Sequence, residues 1–302
     1  MRHLLSLTYI DAVVRAGSIR KAAETLAITS TALNRRILAM EEELGVPIFE
    51  RLPRGVRLTA AGEILINHVR IQLSDMERVK SQIADLSGER RGHVAIACSQ
   101  ALLPYFLPDQ ISTYRKDHPA VTFSVLLRDR AAAEQALMDL SADLALVFEP
   151  VRLTEFQHLL TIRQPVHAVM TRDHPLAGNE SVRLRECVQF PLALPTADFG
   201  VRYLLETAVR RTSLSIEPTV ESDSFEFLRS HAVAENILAF QIPIGLPPDE
   251  ETSNVISRPV DARDIPPGLL YFGQLHSRTL PVAAARFAHQ MMENFEARFE
   301  CV

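Results

Sequence analysis

Residues 17–37 read GSIRKAAETLAITSTALNRRI, and this stretch decides the fold of the first third of the chain. Upstream, Leu4, Leu7, Ile10, Val13 and Val14 recur at helical spacing, and Gly17 supplies the left-handed stop that ends such a helix. Ser18 is a good N-cap for a second helix, whose inner face is Ile19, Ala22, Ala23 and Leu26. The alanines matter, because two helices cross closely only where side chains are small. A short link, Ala27-Ile28, leads to Thr29, another N-cap, and a third helix then runs to Leu44 with Gly45 as its stop.

The third helix divides by face. Leu33, Ile37, Met40 and Leu44 are spaced 4, 3 and 4 apart and are expected to point inward. Ser30, Thr31, Asn34 and Arg35 fall on the opposite face of its first two turns. A solvated helix face is the plainer reading of that set. A short helix, a tight turn and a longer helix in succession favour the other, in which these side chains meet base edges in a major groove. Beyond Gly45, residues 49–51 and 56–58 flank Leu52-Pro53-Arg54-Gly55, where Pro and Gly suit a tight turn. The segment reads as a short hairpin, or wing, with Arg51, Arg54 and Arg57 placed to touch phosphates or a minor groove.

The run Gly17-Ser18-Ile19 with Ala22-Ala23, then Leu26 to Ile37, resembles the winged helix-turn-helix of LysR-type transcriptional regulators. So do residues 41–51 (EEELGVPIFER) and 56–63 (VRLTAAGE). The chain departs from the family where Thr29-Ser30-Thr31 replaces a common Ser-Gln-Pro or Ser-Gln-Ser, and where Asn34 replaces Ser. The resemblance implies a mainly α, DNA-binding domain over residues 1–59 and double-stranded promoter or operator DNA as partner.

From Thr59 a long helix is expected to run to about Ser87. Leu65, Val69, Gln72, Met76, Val79, Ile83 and Leu86 are spaced alternately 4 and 3 apart, the period of a coiled-coil seam. The alternative is a core helix packed on its own domain. Asn67, Arg70, Ser74, Glu77, Ser81 and Asp85 make the other face too polar to be buried all round. Residues 60–88 thus resemble the family's linker helix, which implies a homodimer or tetramer, with the boundary at residues 88–92.

Further out, composition agrees. The 302 residues are 47% apolar and 23% charged, which excludes a disordered chain and leaves room for two or three domains. The net charge of −5 divides into +3 over residues 1–91 and −8 over residues 92–302, so an anionic partner is expected at one end only. The longest apolar stretches, 101–108 and 237–240, fall short of the roughly 18–20 residues needed to span a bilayer. No signal-peptide segment is read after Met1, and three scattered cysteines (Cys98, Cys187, Cys301) suit a reducing compartment, so a cytoplasmic protein away from membranes is expected. Cys98 and Cys187 read as buried hydrophobes and Cys301 as exposed.

Residues 92–302 alternate strand and helix, which implies parallel sheets that bind ligands beyond the strands' C-terminal ends. Resemblance to the family's effector domain, carried by His118-Pro119, His174-Pro175-Leu176 and residues 223–247, implies a two-lobed α/β body of periplasmic-binding-protein-like form. Lobe I is expected over 92–162 and 268–302, and lobe II over 163–267. The first helix of the body is placed at 102–116, directly after Ser99 and Gln100, so that its N-terminus faces an anion. Arg128, Glu149, Thr196, Phe199, Ser222 and Gln241 lie at other strand ends, and the resemblance implies that the whole set lines an inter-lobe pocket for a small effector such as an organic acid. Metal-ligand spacing, a nucleophile elbow and a glycine-rich phosphate loop are missing from the sequence, so neither cofactor nor enzymatic activity is expected. The rival reading is a two-lobed small-molecule-binding protein or enzyme with an appended helical N-terminus.

Overall fold

The computed structural model describes residues 2–86, 91–248, 254–276 and 278–302. It divides into two compact units, residues 1–87 and 88–302. Of the expected boundary at residues 88–92, positions 88–90 lie outside the described residues, as do the side chains of Asp85 and Leu86.

The first unit contains α1 (Arg2–Ala16), α2 (Ile19–Thr25), α3 (Ser30–Leu44), the hairpin β1 (Phe49–Leu52) and β2 (Gly55–Leu58), and α4 (Ala60–Leu86). Its core joins Ile10, Val13, Ala22, Ala23, Leu33, Ile37, Ile48, Ile66 and Val69. The helix stops are as read: Gly17 and Gly45 adopt φ +60° and +71°, and Thr29 Oγ1 accepts the Ala32 N–H at 3.2 Å. Val56 donates its N–H to the Gly17 carbonyl at 3.0 Å, and a Cβ on Gly55 would lie 2.3 Å from that oxygen. The wing therefore needs glycine at position 55 to rest on the α1–α2 corner. Glu41 Oε1 accepts the N–H groups of Ile48 and Phe49 at 2.7 and 3.0 Å, tying α3 to β1.

Two expectations are corrected here. Leu44 is 49% exposed, because Ile48 and Phe49 join the core after the Gly45 turn and α3 ends beyond it. The helix α4 also divides along its length. Ile66 and Val69 are buried in the core, Leu65 and Leu73 pack on it, and Arg70 pairs with Asp11 of α1 at 3.1 Å. Farther along, Val79 and Ile83 of the expected seam are 37% and 58% exposed.

The second unit has two sheets. Lobe I orders its strands β4 (Val121–Leu127), β3 (Gly92–Cys98), β5 (Leu144–Phe148), β12 (Gly268–Leu275) and β6 (Phe156–Gln164). Strands β3, β4 and β5 are parallel, and α5 (Phe106–Asp117), α6 (Ala132–Met138) and α10 (Val282–Arg298) complete the lobe. Lobe II orders β11 (Val255–Pro259), β7 (His167–Thr171), β10 (Leu238–Gln241), β8 (Leu192–Pro195) and β9 (Val220–Ser222). Its helices are α7 (Leu184–Cys187), α8 (Gly200–Val209) and α9 (Phe225–Glu235). The chain passes between lobes after Gln164 and returns before Gly268. In lobe I, Asp143 pairs with Arg278 at 2.7 Å, both nearly enclosed, and accepts the Ala95 N–H at 2.8 Å.

Strand β11 and the single turn α7 have no counterpart in the sequence reading. Nor does β6, which holds its place in the lobe I sheet as far as Gln164. The helix expected at 102–116 is broken: a 3-10 turn covers Gln100–Leu102, and α5 starts only at Phe106. Pro104 accounts for the break, since it lacks an N–H and disfavours helix at the residue before it. Cys98 and Cys187 are buried, with thiol pKa values pushed up to about 12 by that burial. Cys301 is half-buried, not exposed, because its backbone bridges Ile162 of β6.

The turn between α2 and α3 gives a direct test. Ala27 sits at φ +52°, a region that costs a non-glycine residue about 1–2 kcal/mol. Glycine relieves that strain but loses about 0.5–1 kcal/mol through greater unfolded-state freedom. Ala27→Gly should therefore raise the unfolding free energy by about 0.5–1 kcal/mol in urea titrations followed by helical circular dichroism. A lower value would contradict the left-handed turn.

Candidate DNA-reading face and effector cleft

On α3, Ser30, Thr31 and Arg35 are exposed, as a groove-reading face requires. Asn34 is half-buried and accepts a 2.8 Å hydrogen bond from Arg51 Nη2, so wing and helix present these two side chains as one unit. Arg54 lies in the exposed two-residue turn of the hairpin. Arg57 is not free: Glu50, its cross-strand partner, holds it at 2.6 Å and raises its pKa by hydrogen bond and charge. A two-residue turn places these two positions opposite each other, a pairing legible in the sequence but not drawn from it. Arg36 lies over the Tyr9 ring, 5.3 Å from its centroid, and faces the unit's own α1.

The strand ends of the second unit meet across the two lobes, though not as a ring of free ligands. Gln100 Nε2 donates to the Asp223 carbonyl at 3.1 Å, and its Oε1 accepts the Phe225 N–H at the start of α9. One side chain from lobe I thus clasps the backbone of lobe II. Phe199 stacks edge-on against Phe225, centroids 5.1 Å apart. Ser222 Oγ accepts the Ser224 N–H at 3.1 Å, and the Thr196 N–H donates to the Ser222 carbonyl at 3.2 Å. These residues form one neighbourhood around the start of α9.

The remaining members serve the framework. Ser99 is half-buried, its N–H donates to Leu146 at 2.9 Å, and its hydroxyl caps nothing. With α5 starting seven residues on, no helix dipole is aimed at Ser99, which corrects that part of the anion argument. Arg128 turns back to donate to the carbonyl of its neighbour Leu127 at 2.8 Å. Glu149, at φ +51°, exchanges bonds with Leu269, its Oε1 accepting that N–H at 2.8 Å. Gln241 is buried, and its Oε1 accepts the adjacent Ile242 N–H at 2.9 Å.

Sequence reasoning missed Arg130. Its Nε donates to the Glu149 carbonyl, and its guanidinium lies 4.2 Å from the ring centroid of Tyr203 on α8. Burial pushes its pKa down, opposed by Glu149 and Tyr203. The approach of α8 depends on Gly200, where a Cβ would lie 2.6 Å from the Phe148 ring and 2.8 Å from the Phe148 carbonyl oxygen. Asp129 Oδ1 accepts the N–H groups of Ala131 and Ala132, which turns the loop between β4 and α6. A second cross-lobe pair joins Arg229 of α9 to the Tyr105 hydroxyl. Beside it a hollow of about 350 Å³, lined by Val233, Pro247 and Val255 among others, opens to solvent. Among the described residues no helix is long and apolar enough to cross a membrane.

A winged helix-turn-helix head on a chain that continues into a two-lobed ligand-binding body defines a class of transcriptional regulators. Residues 4–63 match the bacterial regulatory helix-turn-helix protein of the lysR family, and residues 87–296 match the LysR substrate binding domain. The chain belongs to the LysR family of DNA-binding transcriptional regulators. The HTH-type transcriptional activator CmpR of Synechocystis is 25% identical over 218 residues, covering 72% of this chain and 71% of CmpR. Full-length OxyR from Pseudomonas aeruginosa shares the fold with a TM-score of 0.72 at 19% identity, over 95% of this chain and 94% of that one. Full-length CbnR complexed with its target DNA does so with a TM-score of 0.56 at 16% identity, over 96% and 98%.

Gln100→Ala should remove two hydrogen bonds, worth about 0.5–1.5 kcal/mol each. The Phe225 amide then exchanges its hydrogen several-fold faster while β3 and β5 stay protected. Unchanged exchange at Phe225 would mean that the clasp does not hold the lobes together.

Proposed function

We propose that this regulator binds promoter DNA as a homodimer or tetramer in the cytoplasm, with a small organic acid in the inter-lobe cleft setting its activity. The observation that carries the DNA reading is the exposed set Ser30, Thr31 and Arg35 on the first turns of α3, with Arg51 and Arg54 on the wing beside it. Arg35 reads a base edge; Arg54 touches phosphate or minor groove; Arg57 exchanges Glu50 for phosphate on docking. Self-association rests on the exposed Val79 and Ile83 at seam spacing, an arrangement that a second copy of the helix covers.

The effector acts by population shift. A ligand entering beside Gln100 replaces its bonds to residues 223 and 225, changes how the lobes close, and so alters which arrangement of subunits is favoured. The rival of a solute-binding protein or enzyme with an appended N-terminus gives no reason for the family match across residues 4–63.

Fluorescence anisotropy on duplexes from the gene's own promoter region tests the DNA contacts. Arg35→Ala should cost about 1–3 kcal/mol and relax base preference at one position per half-site. Arg54→Ala should weaken all sequences evenly and lower the salt slope by about 1. Parent-like binding by both variants would overturn this docking.

A further inference from the structure

The four polar side chains on the first turns of α3 differ in what they can read. Ser30 and Thr31 carry hydroxyls that rotate to donate or accept, and Arg35 only donates. Asn34 alone holds a donor and an acceptor on separate atoms, so the atom left for DNA decides its base choice. Arg51 Nη2 settles this by donating to Asn34 Oδ1 at 2.8 Å. A guanidinium has N–H donors and no acceptor, so the amide oxygen must face Arg51, and a flipped amide would lose the bond.

The wing holds that arrangement in place. Glu41 fixes the start of β1 against α3, and Glu50, beside Arg51 in the chain, is taken by Arg57 on the paired strand. Among the described residues no carboxylate competes for Arg51, and nothing accepts from Asn34 Nδ2. The two N–H groups of Asn34 and the spare N–H groups of Arg51 therefore make a cluster of donors. In the major groove guanine offers two acceptors, N7 and O6, whereas adenine sets a donor, its N6 amino group, beside N7. The bidentate contact of asparagine with adenine uses the amide oxygen as acceptor. Here Arg51 draws on that oxygen.

We propose that Arg51 is a positioning residue that sets the base choice of Asn34, and that Asn34 so held reads guanine rather than adenine in each half-site. This rests on the docking of α3 given above and names a base for one of its side chains. The wing thereby contributes to sequence choice through a bond to the helix, in addition to any contact of its own with the duplex.

The test starts from the full chain selecting duplexes out of a pool randomised over the half-site. Competition anisotropy then compares the four bases at each position of the selected duplex, and the readout is the ratio between bases, which a general loss of affinity does not move. The parent should prefer guanine to adenine by roughly tenfold at one position per half-site, other than the position governed by Arg35. Asn34→Asp, which keeps an acceptor for Arg51 and removes both donors, should abolish that preference and leave the other positions unchanged. Arg51→Met, which frees the Asn34 oxygen, should let adenine in and bring the ratio to within about twofold of one. Adenine preferred by the parent at the position that Asn34 governs overturns the proposal, as does an Arg51→Met protein that keeps the parent's ratio. If Arg35→Ala alters base preference and Asn34→Asp does not, this inference fails while the docking stands. If neither variant alters base preference at any position, the docking of α3 fails and this inference with it.

Discussion

Helix α4 buries only one of its two apolar stretches in the core of its own unit. Its first half closes the core of the DNA-reading unit through Ile66 and Val69, fixed by the Asp11–Arg70 pair. Its second half carries Val79 and Ile83 into solvent, and Ile71 is also 51% exposed. Covering an aliphatic side chain of this size contributes about 1.5–3 kcal/mol. A few such residues on each of two helices therefore supply much of the stability of a dimer. The same rod that supports a reading helix thus also carries the uncovered apolar side chains on which the proposed self-association rests.

The body shows a second economy. Its lobes are joined by a few side-chain contacts: Gln100 to residues 223 and 225, Arg130 to Tyr203, and Phe148 against Gly200. In the function proposed above, Gln100 serves both lobe closure and the response to a ligand. Small changes at these contacts are expected to move the balance between states, since interactions worth about 1–3 kcal/mol are enough to change populations severalfold or more.

Local signals carried the first unit well. Gly17, Thr29 and Gly45 end or cap helices as read, because capping and left-handed stops are decided by a few neighbouring residues, while Ser18 stands at the N-cap of α2 without a side-chain cap bond. The seam was harder to read, since a pattern of period 3.5 and the 3.6-residue turn of the helix drift apart, and Ile66 and Leu73 entered the core from beside the seam positions. In the body, periodicity located most strands but missed β6, β11 and α7. It also could not foresee contacts such as Gln100 with residues 223–225, which join positions over 120 apart in sequence. The packing of Arg130 on Tyr203 was equally hidden, because it depends on where α8 lies, and that depends on a missing side chain at Gly200.

The uncovered half of α4 is the feature to test first. Sedimentation equilibrium of the parent and of Val79→Asp measures it. A seam between two copies predicts a dimer or tetramer for the parent, and smaller species with weakened promoter binding for the variant, because an unpaired charge at the centre of a seam costs several kcal/mol. A parent that sediments as a monomer, or a variant that stays fully associated, would contradict the account.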